Sequence, residues 1–250
     1  MINVVIAAGY ATRLYPLTEN FPKPLLEIGG DTILGRLIKD IDEMDEICEH
    51  IVISNHKFAH FFEEWARNLN TRHPIRIIDD GTTSNETRLG AVKDLLLAVK
   101  KYDINDDLLV VAADNILDFS LHGFVEFFKE KQTSCIMCHY EPELKRLQRT
   151  GVIAVDDEMR VLEMQEKPEK PVSNWAVPPF YIYKRSDLPL VKDCLNHGCG
   201  SDAPGNLAHY LCEVTEMHAW KMPGRRYDIG TLDSYYEAQE LFLDSNLSRK

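Results

Sequence analysis

The chain has 250 residues, 44% of them hydrophobic, and its 28 Lys and Arg against 40 Asp and Glu give a formal net charge of −12. One large core is within reach. An acidic chain with no strongly basic stretch is a poor match for a nucleic-acid polyanion, and no apolar run approaches the roughly 18 residues of a membrane span.

The N-terminus opens on strand-like residues rather than on a basic segment and an apolar signal core, so the expected location is cytoplasmic. The six cysteines are then expected to be mostly reduced. With so few cations to spare, anionic small substrates must be met by a few placed Lys and Arg and by metal ions held on carboxylates.

Val4 to Ala7 predicts a buried strand, and the polar loop after it is the most informative stretch of the chain. Ala8, Gly9 and Ala11 carry almost no side-chain bulk, which lets backbone N–H groups approach a phosphate or a base edge. Arg13 adds a planar fork of donors and Lys23 a point charge, the latter held between Pro22 and Pro24. A connection of this length in a compact domain is usually functional. Neither G-x-x-x-x-G-K-[ST] nor G-x-G-x-x-G is present.

Downstream, Thr32 to Met44 has helical spacing with Asp31 as N-cap candidate, followed by strand His50 to Ser54, helix Phe58 to Leu69 and strand Ile75 to Ile78. Strands alternating with amphipathic helices predict an α/β fold: a mostly parallel, Rossmann-like sheet with helices on both faces, binding ligands beyond the carboxyl ends of its strands. Asp79 to Gly90 is a turn-rich loop leading into helix Ala91 to Lys101. Strand Leu108 to Ala113 is the most apolar and ends at Asp114-Asn115. A carboxylate there is poorly solvated from behind and open in front, as a metal ligand requires.

After helix Phe119 to Lys131 and strand Ser134 to Tyr140 the pattern changes. Gly151 to Val155 and Val161 to Glu166 flank a polar turn and predict a hairpin, a small antiparallel addition, with a further strand at Phe180 to Tyr183. Short helices at Asp187 to Leu195 and Pro204 to Leu211, strand Met217 to Met222 and a final helix from Leu232 to Leu243 complete the expected order. Cys135 and Cys138 lie in a strand-like run where positions three apart face opposite sides, which argues against a shared zinc. Cys194, His197, Cys199, His209 and Cys212 form a looser group for which zinc stays open.

The opening loop resembles the signature of the sugar-1-phosphate nucleotidylyltransferases through Ala8, Gly9, Thr12, Arg13, Leu14, Pro16, Leu17, Thr18, Pro22, Lys23, Pro24 and Leu25. Further likenesses are Asp114-Asn115, Glu166-Lys167-Pro168, Ser173-Asn174-Trp175-Ala176 and Tyr227-Asp228-Ile229-Gly230-Thr231. The resemblance covers nearly the whole chain and is weakest from Asp79 to Gly90 and from Cys194 to Leu211. It implies a single nucleotidyltransferase domain over 1–250, with a nucleotide-binding half at 1–132 and a sugar-phosphate half at 133–250.

The same resemblance implies residue roles. Arg13 and Lys23 would be catalytic, and Asp114 and Asp228 would hold Mg²⁺ or Mn²⁺. Ala8, Gly9, Thr12, Thr83, Arg88 and Gly90 would meet the nucleotide, with Thr82, Thr83 or Asn85 reading a base edge from the Asp79 to Gly90 loop, and Asn115, Gly151, Glu166, Lys167 and Asn174 would meet the acceptor. The expected partners are an NTP and a sugar 1-phosphate, with neither nucleic acid nor membrane; a homo-oligomer is compatible. Departures are T-R-L-G-A-V in the base loop, A-A-D-N in place of G-D-N, and D-A-P-G-N-L in place of G-E-x-x-I-T-D. Analogy with thymidylyl and uridylyl members favours a pyrimidine base. Three alternatives stand beside this expectation: a cytidylyltransferase for a non-sugar phosphate or phosphonate, a silent nucleotide-sugar-binding regulator, and a metal-dependent glycosyltransferase, which would carry D-x-D where A-A-D-N stands.

Overall fold

Apolar strands placed between amphipathic helices produce a mixed sheet of ten strands in this computed structural model, which describes residues 1–247. The chain divides into two compact units. One comprises Met1–Val4, Leu89–Val111 and Leu121–Pro223; the other comprises Val5–Arg88, Ala112–Ser120 and Gly224–Lys250.

In the first unit the strands Val161–Glu166, Gly151–Val155, Trp175–Val177, Ser134–Tyr140, Phe180–Tyr183 and, but for its last residue, Leu108–Ala112 follow one another across the sheet. The predicted hairpin is present with Glu166 opposite Gly151. The antiparallel part reaches further than that hairpin. Phe180–Tyr183 runs antiparallel between Leu108–Ala112 and Ser134–Tyr140, while Met217–Lys221 joins Ser134–Tyr140 in parallel. Trp175–Val177 is a strand that polar Ser173 and Asn174 hid from a periodicity reading.

In the second unit Glu49–Ser54 pairs in parallel with Ile75–Asp79. Helix Ile33–Asp42 buries Ile33, Leu34, Leu37, Ile38 and Ile41, each side chain contributing about 1.5–3 kcal/mol of transfer free energy. Its cap differs from expectation: Thr32, not Asp31, accepts the Gly35 N–H, at 2.9 Å. Asp31 lies one residue too early, where its carboxylate accepts the Thr32 N–H and pairs with Lys39.

Two short strands that no hydrophobic alternation announced decide where the site residues go. Asn115–Leu117 pairs antiparallel with Arg226–Asp228, setting Asn115 opposite Asp228. Behind them Leu14, Leu26, Ile28, Ile33, Ile116, Ile229 and Ala238 form one buried apolar cluster. Arg13 precedes Leu14, Asn115 precedes Ile116 and Asp228 precedes Ile229, so three segments far apart in sequence are pinned by neighbours sharing one core.

Candidate functional site

The polar residues held in front of this cluster form a charged group in the second unit. Lys23, in a one-turn 3-10 segment behind Pro22, is only 11% exposed; its Nζ donates to Asp114 Oδ2 at 2.7 Å and to the Ile229 carbonyl at 3.0 Å. Asp114 Oδ1 accepts from Asn115 Nδ2 at 2.8 Å, and Asn115 Oδ1 accepts from Arg226 Nη1 at 2.5 Å. Burial works to raise the pKa of Asp114, but the charge and hydrogen bond of Lys23 outweigh it and hold the carboxyl below its ordinary value.

Asp228 behaves in the opposite way. Part of it is open to solvent, yet burial first and the Asp114 charge second push its pKa up, with Arg226, Lys23 and Arg13 only partly compensating. Two carboxylates of which one is inadequately neutralised fit a divalent cation. Arg226 was not picked out from the sequence. The available signal was its position two residues before Asp228, which puts both on one face of a strand.

In the opening loop Ala11 takes a left-handed φ of 48°, and Thr12–Leu14 then form a 3-10 turn with Thr12 and Arg13 exposed and Leu14 buried. Ala8 is buried, and its carbonyl accepts from Asn55 Nδ2 at 3.0 Å. A side chain at Gly9 would meet no atom within 4 Å, so its backbone is open to a ligand.

The loop expected to frame a base is fastened by Thr82 rather than Thr83. Tyr10 donates its hydroxyl to the Thr82 carbonyl at 2.9 Å, and the Thr82 hydroxyl donates to Asp80 Oδ1 at 2.7 Å. Thr83 and Arg88 are exposed, Arg88 donating to the Asn85 carbonyl of its own turn.

Gly90, in the first unit, has a packing reason to be glycine. Its φ is 90°, and a Cβ there would lie 2.5 Å from the Ser201 carbonyl oxygen and 2.7 Å from Asp202 Cα. Backbone cannot yield as a flexible side chain does. Gly90→Ala is therefore expected to destabilise the protein by about 2–4 kcal/mol in urea unfolding. A loss below about 1 kcal/mol would show that the Ser201–Asp202 segment moves aside freely.

The hairpin of the first unit brings together Gly151, Glu166 and Lys167. Lys167 has a φ of 49° and an exposed side chain whose Nζ is 3.8 Å from Glu166 Oε1. Glu166 is largely buried and receives no hydrogen bond from the described residues; burial raises its pKa, with Lys167 and His209 opposing. Asn174 is less available, since its Nδ2 donates to the Glu141 carbonyl at 2.9 Å.

The loose Cys and His group does not assemble as a ligand set among the described residues. Cys194 donates to the Asn206 carbonyl, His209 Nδ1 lies on the Met164 carbonyl and Cys212 lies against Met217. Cys135 and Cys138 are buried thiols whose pKa values burial pushes up to about 12, which keeps them protonated.

Residues 2–245 match the family described as Nucleotidyl transferase. The chain belongs to that family. It is 27% identical over 243 residues to the bifunctional protein GlmU of Methanocaldococcus jannaschii, a match covering 96% of this chain and 54% of that protein. The GlmU of Methanococcus aeolicus is 32% identical over 227 residues, 91% of this chain and 51% of that one, so the chain spans about half the length of these relatives. UTP–glucose-1-phosphate uridylyltransferase AglF of Haloferax volcanii is matched almost end to end, 27% identical over 251 residues and covering 95% and 94% of the two chains. A crystal structure of UDP-glucose pyrophosphorylase complexed with UDP-glucose shares the fold, with a TM-score of 0.83 over 98% of both chains at 20% identity. Among the described residues no helix is long and apolar enough to cross a membrane.

Proposed function

We propose that the chain transfers a nucleotidyl group from an NTP to a sugar 1-phosphate, forming an NDP-sugar and pyrophosphate. The observation that carries this reading is the charged group of the second unit: a largely covered Lys23 between Asp114 and the Ile229 carbonyl, with Asp228 beside them and incompletely neutralised. Family membership agrees with it, as does the uridylyltransferase name of a relative matched over nearly its whole length.

In the proposed reaction an oxygen of the acceptor phosphate attacks the α-phosphorus of the NTP. The bond from that phosphorus to the α,β-bridging oxygen breaks, and pyrophosphate leaves with the electron pair. Such a displacement needs placement and charge neutralisation more than covalent help from the protein. The open backbone at Gly9 suits close approach of the nucleotide, and the exposed guanidinium of Arg13 suits the leaving pyrophosphate. Lys23 neutralises charge while fixing Asp114. Asp114 and Asp228 would hold Mg²⁺ or Mn²⁺, which when bound supplies further charge neutralisation to phosphate oxygens. Glu166, a carboxylate that receives no hydrogen bond from the described residues, accepts hydroxyls of the sugar, and Lys167 pairs with the acceptor phosphate.

The test is pyrophosphate release by purified protein with ATP, GTP, CTP, UTP and dTTP, each against a series of sugar 1-phosphates. Turnover is expected for at least one pair, with a pyrimidine nucleotide preferred. Release with phosphocholine or a phosphonate but with no sugar 1-phosphate would replace the acceptor class, and release with none of these would overturn the reading.

A further inference from the structure

The Glu166 carboxylate lies where two neighbouring residues lack side chains. A Cβ at Gly205, the first residue of helix Gly205–Val214, would come within 2.0 Å of Glu166 Oε2 and 2.9 Å of its Cδ. A Cβ at Gly151, facing Glu166 across the hairpin, would come within 3.4 Å of the same oxygen and 3.0 Å of Met164 Cε. Met164 Cε would also lie 3.3 Å from the Gly205 Cβ, closing the space between the two. Helix and strand are held in register one turn further along, where His209 Nδ1 meets the Met164 carbonyl.

With no hydrogen bond from the described residues to hold this carboxylate, and only the exposed Lys167 ammonium 3.8 Å from its other oxygen, the place of Oε2 is set by the space available. We propose that Gly205 is a positioning residue for the acceptor, its bare α-carbon admitting the Glu166 carboxylate to the place from which it meets the sugar. The proposal rests on the reading of Glu166 as a sugar-hydroxyl acceptor. It adds a specificity determinant from the stretch D-A-P-G-N-L, which in sequence stands only as a departure from the family pattern.

The physics separates this role from a structural one. The atom that a Gly205→Ala methyl would strike is the end of a flexible side chain, so the carboxylate swings away and the backbone stays. Alanine also favours a helix more than glycine does, and folding should therefore not suffer. A displaced binding group, by contrast, weakens every interaction that depends on its placement.

The experiment measures both KM values and the thermal melt for the parent, Gly205→Ala, Glu166→Asp and the double variant. Gly205→Ala is expected to raise the acceptor KM about tenfold or more, with the NTP KM changed less than about twofold and the melt unchanged or slightly higher. In the Glu166→Asp background, where the carboxylate is withdrawn by one methylene, the same substitution should change the acceptor KM less than about threefold. A parent that turns over sugar 1-phosphates while Gly205→Ala leaves the acceptor KM unchanged overturns the proposal and spares the proposed function. Equal effects of Gly205→Ala in both backgrounds also overturn it, because the substitution would then not act through Glu166. A parent with no sugar 1-phosphate activity overturns the functional reading itself and the role of Gly205 with it.

Discussion

Arg13→Ala is expected to lower kcat/KM for nucleotidyl transfer by about two to three orders of magnitude, the scale of losing one transition-state charge contact, while leaving the melting temperature unchanged. The second half of that expectation follows from the surroundings: Arg13 is exposed and makes no hydrogen bond or ion pair among the described residues. Lys23→Ala should produce a loss of similar size with a different signature. Its ammonium is paired with Asp114 and bonded to the Ile229 carbonyl, so deletion leaves a half-buried carboxylate without its cation and should cost about 1–3 kcal/mol of stability as well. Steady-state kinetics and thermal melts of both variants check the contrast. Near-parental turnover for Arg13→Ala would remove the leaving-group assignment. A full activity loss for Lys23→Ala that tracked unfolding alone would leave Lys23 a structural ion.

Why Arg13 and Lys23 were visible in the sequence, and Arg226 and Gly205 were not, has a physical basis. The opening loop combines small residues, three prolines and two cations immediately after an apolar strand, a local pattern that packing by itself does not require and that binding a phosphate does. The hairpin Gly151–Val155 and Val161–Glu166 was readable for a similar reason, since strand alternation and a polar turn are both local signals. The strands Asn115–Leu117 and Arg226–Asp228 are three residues each, too short to carry a periodicity, and each exists because the other pairs with it. The same holds for Gly205: nothing in its neighbours indicates that a carboxylate thirty-nine positions earlier occupies its side-chain space. Gly90 illustrates the converse. Its place beside the base loop marked it for nucleotide contact, whereas the close approach of the Ser201–Asp202 backbone already accounts for a glycine there.

Opposite effects on stability are expected from the two aspartates when the protein is stripped of divalent ions. Asp114 has a lowered pKa through Lys23, so its contribution is present above the unfolded value of 3.8 and lost as pH falls through the folded one. Asp114→Asn should therefore lower the melting temperature at pH 7. Asp228 has a raised pKa, so the folded state binds more protons than the unfolded state between 3.8 and the raised value. Stability from that group falls as pH rises through the window, leaving a residual cost at neutral pH that Asp228→Asn removes. The melting temperature of metal-free Asp228→Asn at pH 7 should accordingly rise, an instance of a site holding unfavourable charge for the sake of a ligand. Added Mg²⁺ or Mn²⁺ should stabilise the parent, by about 2.7 kcal/mol at a hundred times its dissociation constant, and should stabilise either Asn variant much less. Thermal melts with and without the ion, together with Mn²⁺ binding followed by electron paramagnetic resonance, provide readouts independent of turnover. A metal-free Asp228→Asn that melted below the parent, or that kept the parental response to Mn²⁺, would show that Asp228 does not share a cation with Asp114.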